Sequence, residues 1–246
     1  MIWDWPICFK TWARPALLLV ALAASIHAAT VTGKVELRDS KEAAVRKKMD
    51  FSGVVIWLEP VVGKAALPAP SRARMIQKNK TFSPHVLAIP TGATVDFPNL
   101  DPIFHNVFST YNGQPFDLAL YRPGTSKSVT FTHSGIVRVF CNIHSNMSAI
   151  IAVLDTPHYD ISKRNGNFEF HDVPAGEYYV HVFHERATQA TLDELGRRVT
   201  VMGDAVEVAP IVISESGYLP IPHLNKFGRQ YPAPPDDNGV YPAVRR

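Results

Sequence analysis

Short apolar segments separated by turn residues are the feature that most constrains the fold of this chain. Six of them share a central region and lie at residues 86–89, 94–97, 106–109, 126–132, 136–141 and 148–154. Turn-forming stretches such as PTGA, YRPGTS and HSG separate them. Strand signals that recur about every 8 to 12 residues predict an all-β sandwich or barrel.

A second set of strand signals follows this region. The segment YDISKRNGNFEF, residues 159–170, predicts two strands joined by a tight turn at Asn165 and Gly166, because Asn-Gly favours short turns. The segment DVPAGEYYVHVFHE, residues 172–185, predicts a Pro/Gly turn followed by a strand with alternating side chains. We place a domain boundary at residues 155–157, where the apolar run AIIAVLD ends at a proline.

The predicted organisation is a leader, two β domains and a tail. These parts span, in order, residues 1–28 for a signal peptide, 29–156 for the first domain, 157–214 for a smaller second sandwich and 215–246 for a Pro-rich extended tail. The first domain includes the N-terminal strands and a long connection at residues 59–84, where prolines and scattered basic residues interrupt the strand pattern.

The N-terminal segment has the pattern of a secretory signal peptide. Lys10 and Arg14 precede an apolar run at residues 15–24, and the small residues Ala28 and Ala29 follow it. The run is shorter than the roughly 20 residues that cross a bilayer. We therefore expect export to the periplasm and no transmembrane segment in the mature chain, with an uncleaved membrane anchor as the alternative.

The charge balance gives no sign of a nucleic-acid partner. The chain has a formal net charge of +3. Loss of Lys10, Arg14 and Asp4 with the signal peptide lowers this charge to +2. Nucleic-acid-binding domains are usually strongly basic, so we expect no nucleic acid among the partners.

The cysteine content points either to a metal site or to an inert thiol. Loss of Cys8 with the signal peptide leaves Cys141 as the single cysteine, so no internal disulfide is possible. A lone thiol in an oxidising compartment is open to oxidation unless something holds it. Metal ligation is one explanation, and a buried, unreactive cysteine is the other.

The neighbours of this cysteine favour a metal. In VRVFCNIHSNMSAIIAVL, residues 137–154, Cys141, His144 and Met147 follow an apolar strand with two residues between successive ligand types. Thiolate, imidazole and thioether together select copper, and two histidines, a cysteine and a weak axial methionine make a blue-copper site. The segment FPNLDPIFHNVFS, residues 97–109, supplies a second histidine, His105. Structural zinc rarely uses methionine, and Met147 as an ordinary core residue is the alternative.

These motifs resemble the cupredoxin family, the group of plastocyanin, pseudoazurin and amicyanin, over about residues 85–155. The resemblance implies a Greek-key sandwich with one type 1 copper ion held by four residues: His105, Cys141, His144 and Met147. It also implies that the backbone N–H of Asn106 donates to the cysteine sulfur, and that the Asn106 side chain ties its strand to the ligand loop, with Asn142 as a partner. In this family the loop histidine, here His144, lies nearest to solvent.

The second β region resembles the carboxypeptidase regulatory-like, or transthyretin-like, sandwich through NGNFEFHDVPAGEYYVHVFHE, residues 165–185. That fold serves many roles, so the resemblance implies support or docking and no catalysis. The two regions together are similar to bacterial proteins labelled methylamine-utilisation or plastocyanin-like, a label from which we infer no methylamine chemistry.

The sequence thus predicts a periplasmic protein that shuttles single electrons. Its expected partner is a transient redox protein such as a c-type cytochrome or a periplasmic dehydrogenase. Two alternatives use the same chain differently: a copper storage or delivery protein, and a non-redox interaction protein of the cell envelope. We expect no enzyme, because the sequence has no paired carboxylates, nucleophile elbow or phosphate loop.

Overall fold

The computed structural model of the protein describes residues 28–110, 114–220 and 222–232. These residues form strands that are β1 (Ala28–Arg38), β2 (Val55–Pro60), β3 (Arg72–Arg74), β4 (Ile76–Lys78), β5 (Thr81–Ser83), β6 (Val86–Pro90), β7 (Thr94–Pro98), β8 (His105–Ser109), β9 (Phe116–Tyr121), β10 (Ser126–Thr130), β11 (Gly135–Phe140), β12 (Ser148–Leu154), β13 (Tyr159–Ile161), β14 (Asn167–Pro174), β15 (Gly176–Phe183), β16 (Arg197–Val201), β17 (Ala205–Glu207) and β18 (Ile211–Ser214). Two short helices are α1 (Ala43–Lys48) and α2 (Gln189–Leu195). Apart from Ala28, the predicted signal peptide lies outside the described residues. Within the ranges given above, no helix is long and apolar enough to cross a bilayer.

Residues 72–154 form a first sandwich. One of its sheets has the strand order β10-β7-β3, and the other has the order β6-β12-β11-β8-β9. Val137 and Val139, two residues apart on β11, are fully buried against Phe97 of β7, because alternate residues of a strand point to the same face. Cys141 and Met147 belong to the same core. The predicted all-β sandwich is confirmed.

A second sandwich is built from both ends of the described chain. β1 pairs antiparallel with β14 and parallel with β17 and β18. The other sheet has the order β13-β2-β15-β16. Val31 of β1 and Phe168 of β14 share one buried core with Ile56 of β2 and Val180 of β15.

This pairing corrects the predicted position of the N-terminal strands. The sequence assigns them to the first domain, residues 29–156, but β1 and β2 pair with strands of the second sandwich. The first sandwich is therefore inserted between β2 and β13. Alternation in VTGKVEL identifies a strand with one buried face, yet it does not identify the sheet that covers this face. The paired residues Ala28 and Pro174 lie far apart in the sequence, so no local pattern predicts their contact.

The predicted connection at residues 59–84 is also more structured than expected. β3, β4 and β5 lie in its second half, and β3 pairs parallel with β7. Met75 and Gln77 are fully buried, and Phe82 is nearly so. The neighbouring basic residues and prolines conceal this alternation in the sequence. β9 is also absent from the predicted strands, because it is an edge strand in which three of the six side chains are exposed and only Tyr121 is buried.

The turn expected at Asn165 and Gly166 has a geometry that requires glycine. Gly166 has a φ of 83°, and a Cβ atom at this position would lie 2.1 Å from the carbonyl oxygen of Val35. Any side chain would collide with that backbone. The two strands that the turn joins, β13 and β14, lie in different sheets, so the turn carries the chain from one sheet of the second sandwich to the other.

An apolar contact joins the two sandwiches. Ala152 and Leu154 of β12 are buried with Val55 of β2, which belongs to the second sandwich. Trp57 of β2 and Phe183 of β15 pack against the same cluster. The second sandwich therefore covers part of the sheet that contains β11 and β12, the two strands joined by the ligand loop.

A histidine at this junction contacts both sandwiches. The Nε2 atom of His85 lies 2.8 Å from a carboxylate oxygen of Glu185, and its Nδ1 atom lies 3.2 Å from the carbonyl oxygen of Ser148. Both partners are acceptors, so the ring makes both hydrogen bonds only when both nitrogens are protonated. The hydrogen bond to Glu185 raises the pKa of His85 above its usual value of 6.5. Burial opposes the ionised form of Glu185, but the hydrogen bond from His85 and the positive charges of His85 and Arg186 together outweigh it and lower the pKa of this carboxyl below 4.5.

This ion pair predicts a pH dependence of stability. A raised histidine pKa stabilises the fold fully below pH 6.5, and the contribution is lost as the pH rises through the raised value. The lowered carboxyl pKa stabilises the fold above pH 4.5 and is lost at lower pH. Because His85 is half exposed, we expect the free energy of unfolding to fall by about 1 kcal/mol or less from pH 6 to pH 9. Urea unfolding of His85→Gln should lack this decrease, whereas His133→Gln, an exposed control, should keep it.

Candidate metal centre

Three side chains that can bind a metal meet at one end of the first sandwich. The Sγ atom of Cys141 lies 3.5 Å from Nδ1 of His144 and 3.8 Å from Nδ1 of His105. One ligand atom from each residue lies within 4.8 Å of the other two. Among the His, Cys, Asp and Glu residues that the structure describes, no other three form such a group.

The loop between β11 and β12 positions two of these residues. The backbone N–H of Cys141 donates to the carbonyl oxygen of Met147 at 3.1 Å, which closes the loop at its base. The N–H of Met147 donates to the carbonyl oxygen of His144, also at 3.1 Å. The loop is short and continues a tightly paired hairpin, so Cys141 and His144 have little freedom to separate.

His105 comes from β8 and is oriented by a carboxylate. Its Nε2 atom lies 2.7 Å from Oδ2 of Asp101, and both residues are buried. Burial by itself would raise the pKa of Asp101, but hydrogen bonds from the N–H of Lys80, from His105 and from the N–H of Asn79 outweigh it and lower this pKa. An ionised carboxylate only accepts, so Nε2 carries a proton, and the other nitrogen, Nδ1, is the atom that faces Cys141 and can bind a metal once it is unprotonated.

Cys141 is fully buried and surrounded by N–H donors. Burial raises the pKa of its thiol, and backbone hydrogen bonds from Asn106, Ile143 and His144 offset part of that rise. The metal-free site thus holds a protonated thiol with donors already aimed at its sulfur. A metal that displaces the thiol proton would leave a thiolate that these donors stabilise.

The two asparagines expected near the site contact each other. The side-chain oxygen of Asn106 accepts the backbone N–H of Asn142 at 3.2 Å, which ties β8 to the ligand loop. The backbone N–H of Asn106 is among the donors to the Cys141 sulfur. The Nδ2 atom of Asn106 donates to Asp117 on β9 at 2.7 Å.

His144 is the least buried of the three residues in the group. Its ring lies 4.9 Å from the ring of His105, measured between centroids. Partial burial and the nearby positive groups of His105 and Lys80 lower the pKa of His144 to about 4. The imidazole is therefore neutral near pH 7, so one of its ring nitrogens has a lone pair that can bind a metal.

Met147 lies at the end of the ligand loop, fully buried in the core of the first sandwich. Its backbone closes the loop on Cys141 and His144. These backbone hydrogen bonds hold the backbone of Met147 beside the backbones of Cys141 and His144. Its role as an axial ligand stays a prediction, since a buried methionine also serves as core.

The donor set fits copper. When one nitrogen ligand and one sulfur ligand bind the same ion at typical bond lengths, the two ligand atoms are about 3.6 to 3.8 Å apart. This range covers ligand–metal–ligand angles from tetrahedral to trigonal. The distances from Cys141 Sγ to the two Nδ1 atoms, 3.5 and 3.8 Å, agree with this separation. One thiol and two imidazoles are also the donors that suit copper.

Three parts of this site were not found by sequence reasoning. Asp101 has a sequence signal, because it is an acidic residue four positions before the predicted ligand His105. Asp117 has no such signal, since it lies on the unpredicted strand β9.

The third part is the C-terminal strap, residues 222–232, which belongs to the predicted extended tail but contacts the ligand loop. The Tyr231 hydroxyl donates to the carbonyl oxygen of Cys141 at 2.7 Å. Residues 233–246 of the predicted tail lie outside the described residues.

Comparisons with known proteins give partial likenesses only. No protein-family model matches the chain, and no curated protein matches it. Among solved structures, a purple cupredoxin from Nitrosopumilus maritimus is 26% identical, over 33% of this chain and 99% of its own, with a TM-score of 0.31. A reduced amicyanin variant is 20% identical, over 37% of this chain and 100% of its own, with a TM-score of 0.32. A copper-containing nitrite reductase from Thermus scotoductus is 30% identical over 39% of this chain but only 25% of its own, with a TM-score of 0.33.

Proposed function

We propose that the protein is a periplasmic type 1 copper protein that shuttles single electrons, with copper held by His105, Cys141, His144 and Met147. One observation carries this proposal: the buried Cys141 sulfur lies 3.5 and 3.8 Å from the Nδ1 atoms of two histidines. Copper bound there would supply a one-electron couple between Cu(I) and Cu(II).

The surrounding residues support a carrier by holding the donor atoms still. Asp101 orients His105, and the backbone bonds of the ligand loop hold Cys141 close to His144. Burial keeps water away from the sulfur. A site whose donors are held in place by strands and hydrogen bonds needs little rearrangement when its charge changes. This rigidity favours repeated electron exchange over release of the ion, so we propose a carrier and not a storage or delivery protein.

A partner would approach on the side of His144, the donor residue that is partly exposed. Ile143 next to it and Phe104 next to His105 are exposed apolar side chains. Transient redox complexes have small interfaces, so exposed apolar side chains next to the ligands in the chain suit a brief encounter. We propose a c-type cytochrome or a periplasmic dehydrogenase as the partner class. The likeness of the second sandwich to the carboxypeptidase regulatory-like fold stays a prediction.

The proposal is tested by adding Cu(II) to the mature protein and recording its visible spectrum and copper content over repeated reduction and reoxidation. We expect an intense band in the oxidised protein, its disappearance on reduction, and a constant ratio of one copper per chain over many cycles. Copper uptake without an intense band would contradict the type 1 site. Loss of copper on reduction would instead support delivery of the ion.

Substitution of Met147 tests its predicted role as a weak axial ligand. Met147→Leu should retain copper and raise the reduction potential, because loss of a weak donor favours Cu(I), whereas Met147→Gln should lower it. Potentiometric titration of the oxidised band measures both shifts. Met75→Leu, which changes a fully buried methionine elsewhere in the same core, is the matched control and should leave the potential unchanged. Equal potentials in all variants would make Met147 a core residue only.

A further inference from the structure

The C-terminal strap closes a ring of hydrogen bonds beside the candidate metal centre. The Nζ atom of Lys226 lies 2.7 Å from Asp117 Oδ2, and Asp117 Oδ1 accepts from Asn106 at 2.7 Å. Asn106 accepts the backbone N–H of Asn142 at 3.2 Å, and the side-chain oxygen of Asn142 accepts the backbone N–H of Lys226 at 3.0 Å. The ring thus connects the successive strands β8 and β9 with the ligand loop and the strap.

The strap has a second attachment next to this ring. The Tyr231 hydroxyl donates to the carbonyl oxygen of Cys141, the residue that supplies the sulfur. The His223 ring stacks on Phe140 at 4.1 Å between centroids, and the edge of the Tyr231 ring packs on His223 at 5.1 Å. The strap therefore contacts three consecutive residues, Phe140, Cys141 and Asn142.

The strap is ordered by its own turn. Asn225 donates its N–H to the carbonyl oxygen of Arg229 at 2.9 Å and accepts the N–H of Gly228 at 2.9 Å on its own carbonyl. The Asn225 side chain also accepts the N–H groups of Phe227 and Arg229. A segment that is already folded on itself loses less conformational entropy when it binds the loop.

The charge of Lys226 has a partner within the ring. Burial by itself would raise the pKa of Asp117, but hydrogen bonds from Lys226, from the N–H of Ala119 and from Asn106 lower it. The carboxylate is therefore ionised and accepts from Asn106. Removal of the lysine charge would weaken the hold of Asp117 on the asparagine whose N–H faces the Cys141 sulfur.

We propose that Lys226 and Tyr231 are positioning residues of the metal centre, which set how firmly Cys141 and the ligand loop retain a bound copper ion. This role rests on the proposed function. Tyr231 acts on the backbone of Cys141, and Lys226 acts through Asp117, Asn106 and Asn142. Hydrogen bonds outside the ligands hold the ligands in orientation and commonly change metal affinity by about 10- to 100-fold.

Two shortened chains and four point variants, one of them a control, test the role. A chain that stops after Pro220 lacks the strap, and a chain that stops after Pro232 keeps it, so their difference isolates residues 221–232. Tyr231→Phe keeps the ring and removes the hydroxyl. Lys226→Met removes the charge, and Lys226→Arg should restore it. Arg229→Ala is the matched control, because the described hydrogen bonds of Arg229 involve only its backbone.

Two measurements are made on every variant. The first is the rate at which a strong chelator removes copper, together with the visible spectrum. The second uses the metal-free protein and follows the reaction of the Cys141 thiol with an aromatic disulfide reagent. We expect the chain that stops after Pro220 to lose copper about 10- to 100-fold faster than the one that stops after Pro232. Tyr231→Phe removes the bond to Cys141 and the 3.3 Å contact of the hydroxyl with Nδ1 of His223. It should lose copper about five-fold faster, because the bond to Cys141, which bears on the ligand loop, is worth about one ordinary hydrogen bond. Thiol reaction rates should rise in the same order.

The two measurements separate this role from the proposed function. Faster thiol reaction in a protein that never shows an intense copper band supports the action of the strap on Cys141 and contradicts only the copper site. An intense band in all variants, with equal copper loss and equal thiol rates, overturns the positioning role and leaves the proposed function intact. Equal rates for the two shortened chains also overturn it, as does an effect of Arg229→Ala as large as that of Lys226→Met.

Discussion

Cys141→Ser is expected to abolish the intense visible band of the copper-loaded protein while leaving the first sandwich folded. The band of a type 1 site comes from charge transfer between a thiolate and Cu(II), and a serine hydroxyl cannot supply it. Serine is close to cysteine in size, and the N–H groups that face the sulfur can donate to its oxygen instead. The free energy of unfolding of the metal-free protein should therefore change by only about 1 kcal/mol.

The measurement compares absorption per bound copper with the urea unfolding curve of the metal-free protein. Ser145→Ala, an exposed change in the same loop, is the control and should keep the band. A Cys141→Ser protein that retains an intense band would assign the colour to a different site. A variant that loses the band because it is unfolded is recognised by its unfolding curve.

Asp101→Ala should have the second largest effect, because one buried carboxylate serves three donors. It accepts the N–H of Asn79 at 2.6 Å and that of Lys80 at 2.9 Å, in addition to Nε2 of His105. Alanine leaves these groups without that acceptor. We expect the metal-free protein to lose about 2 to 4 kcal/mol of unfolding free energy. Copper affinity should fall by about 10- to 100-fold, because His105 loses the partner that orients it.

The acid stability of the protein gives an independent check on Asp101. Because its pKa is lowered in the folded protein, its contribution is present above pH 3.8 and is lost as the pH falls through the lowered value. The Asp101→Ala variant should lack the part of the acid sensitivity that comes from this carboxyl. Asp155→Asn is the matched control for copper affinity, which it should leave unchanged, since this carboxylate accepts from Thr91 and Ser134 in the same sandwich without contacting the metal centre. Copper affinity that is equal in Asp101→Ala and the unmodified protein would remove Asp101 from the site.

Local patterns in the sequence determined the elements and the ligand loop. In a strand with one buried face, apolar residues recur at every second position, as Val137 and Val139 do on β11. Cys141, His144 and Met147 lie within seven residues, so a single hairpin loop keeps them together whatever the rest of the fold does. The turn at Gly166 also follows from local chemistry, because its backbone conformation is one that glycine adopts readily.

Contacts between distant residues were decided only by the tertiary structure. The approach of His105 to Cys141 follows from β8 lying beside β11, and the sequence suggested it only through the ligand types that copper needs and through resemblance to a family. The pairing of β1 with β14 and the return of the strap to Cys141 had no sequence signal. The physical reason is the same in each case. The alternation of apolar residues indicates that one face of a strand is buried. The partner that covers this face is selected by packing and hydrogen bonding in the whole folded chain.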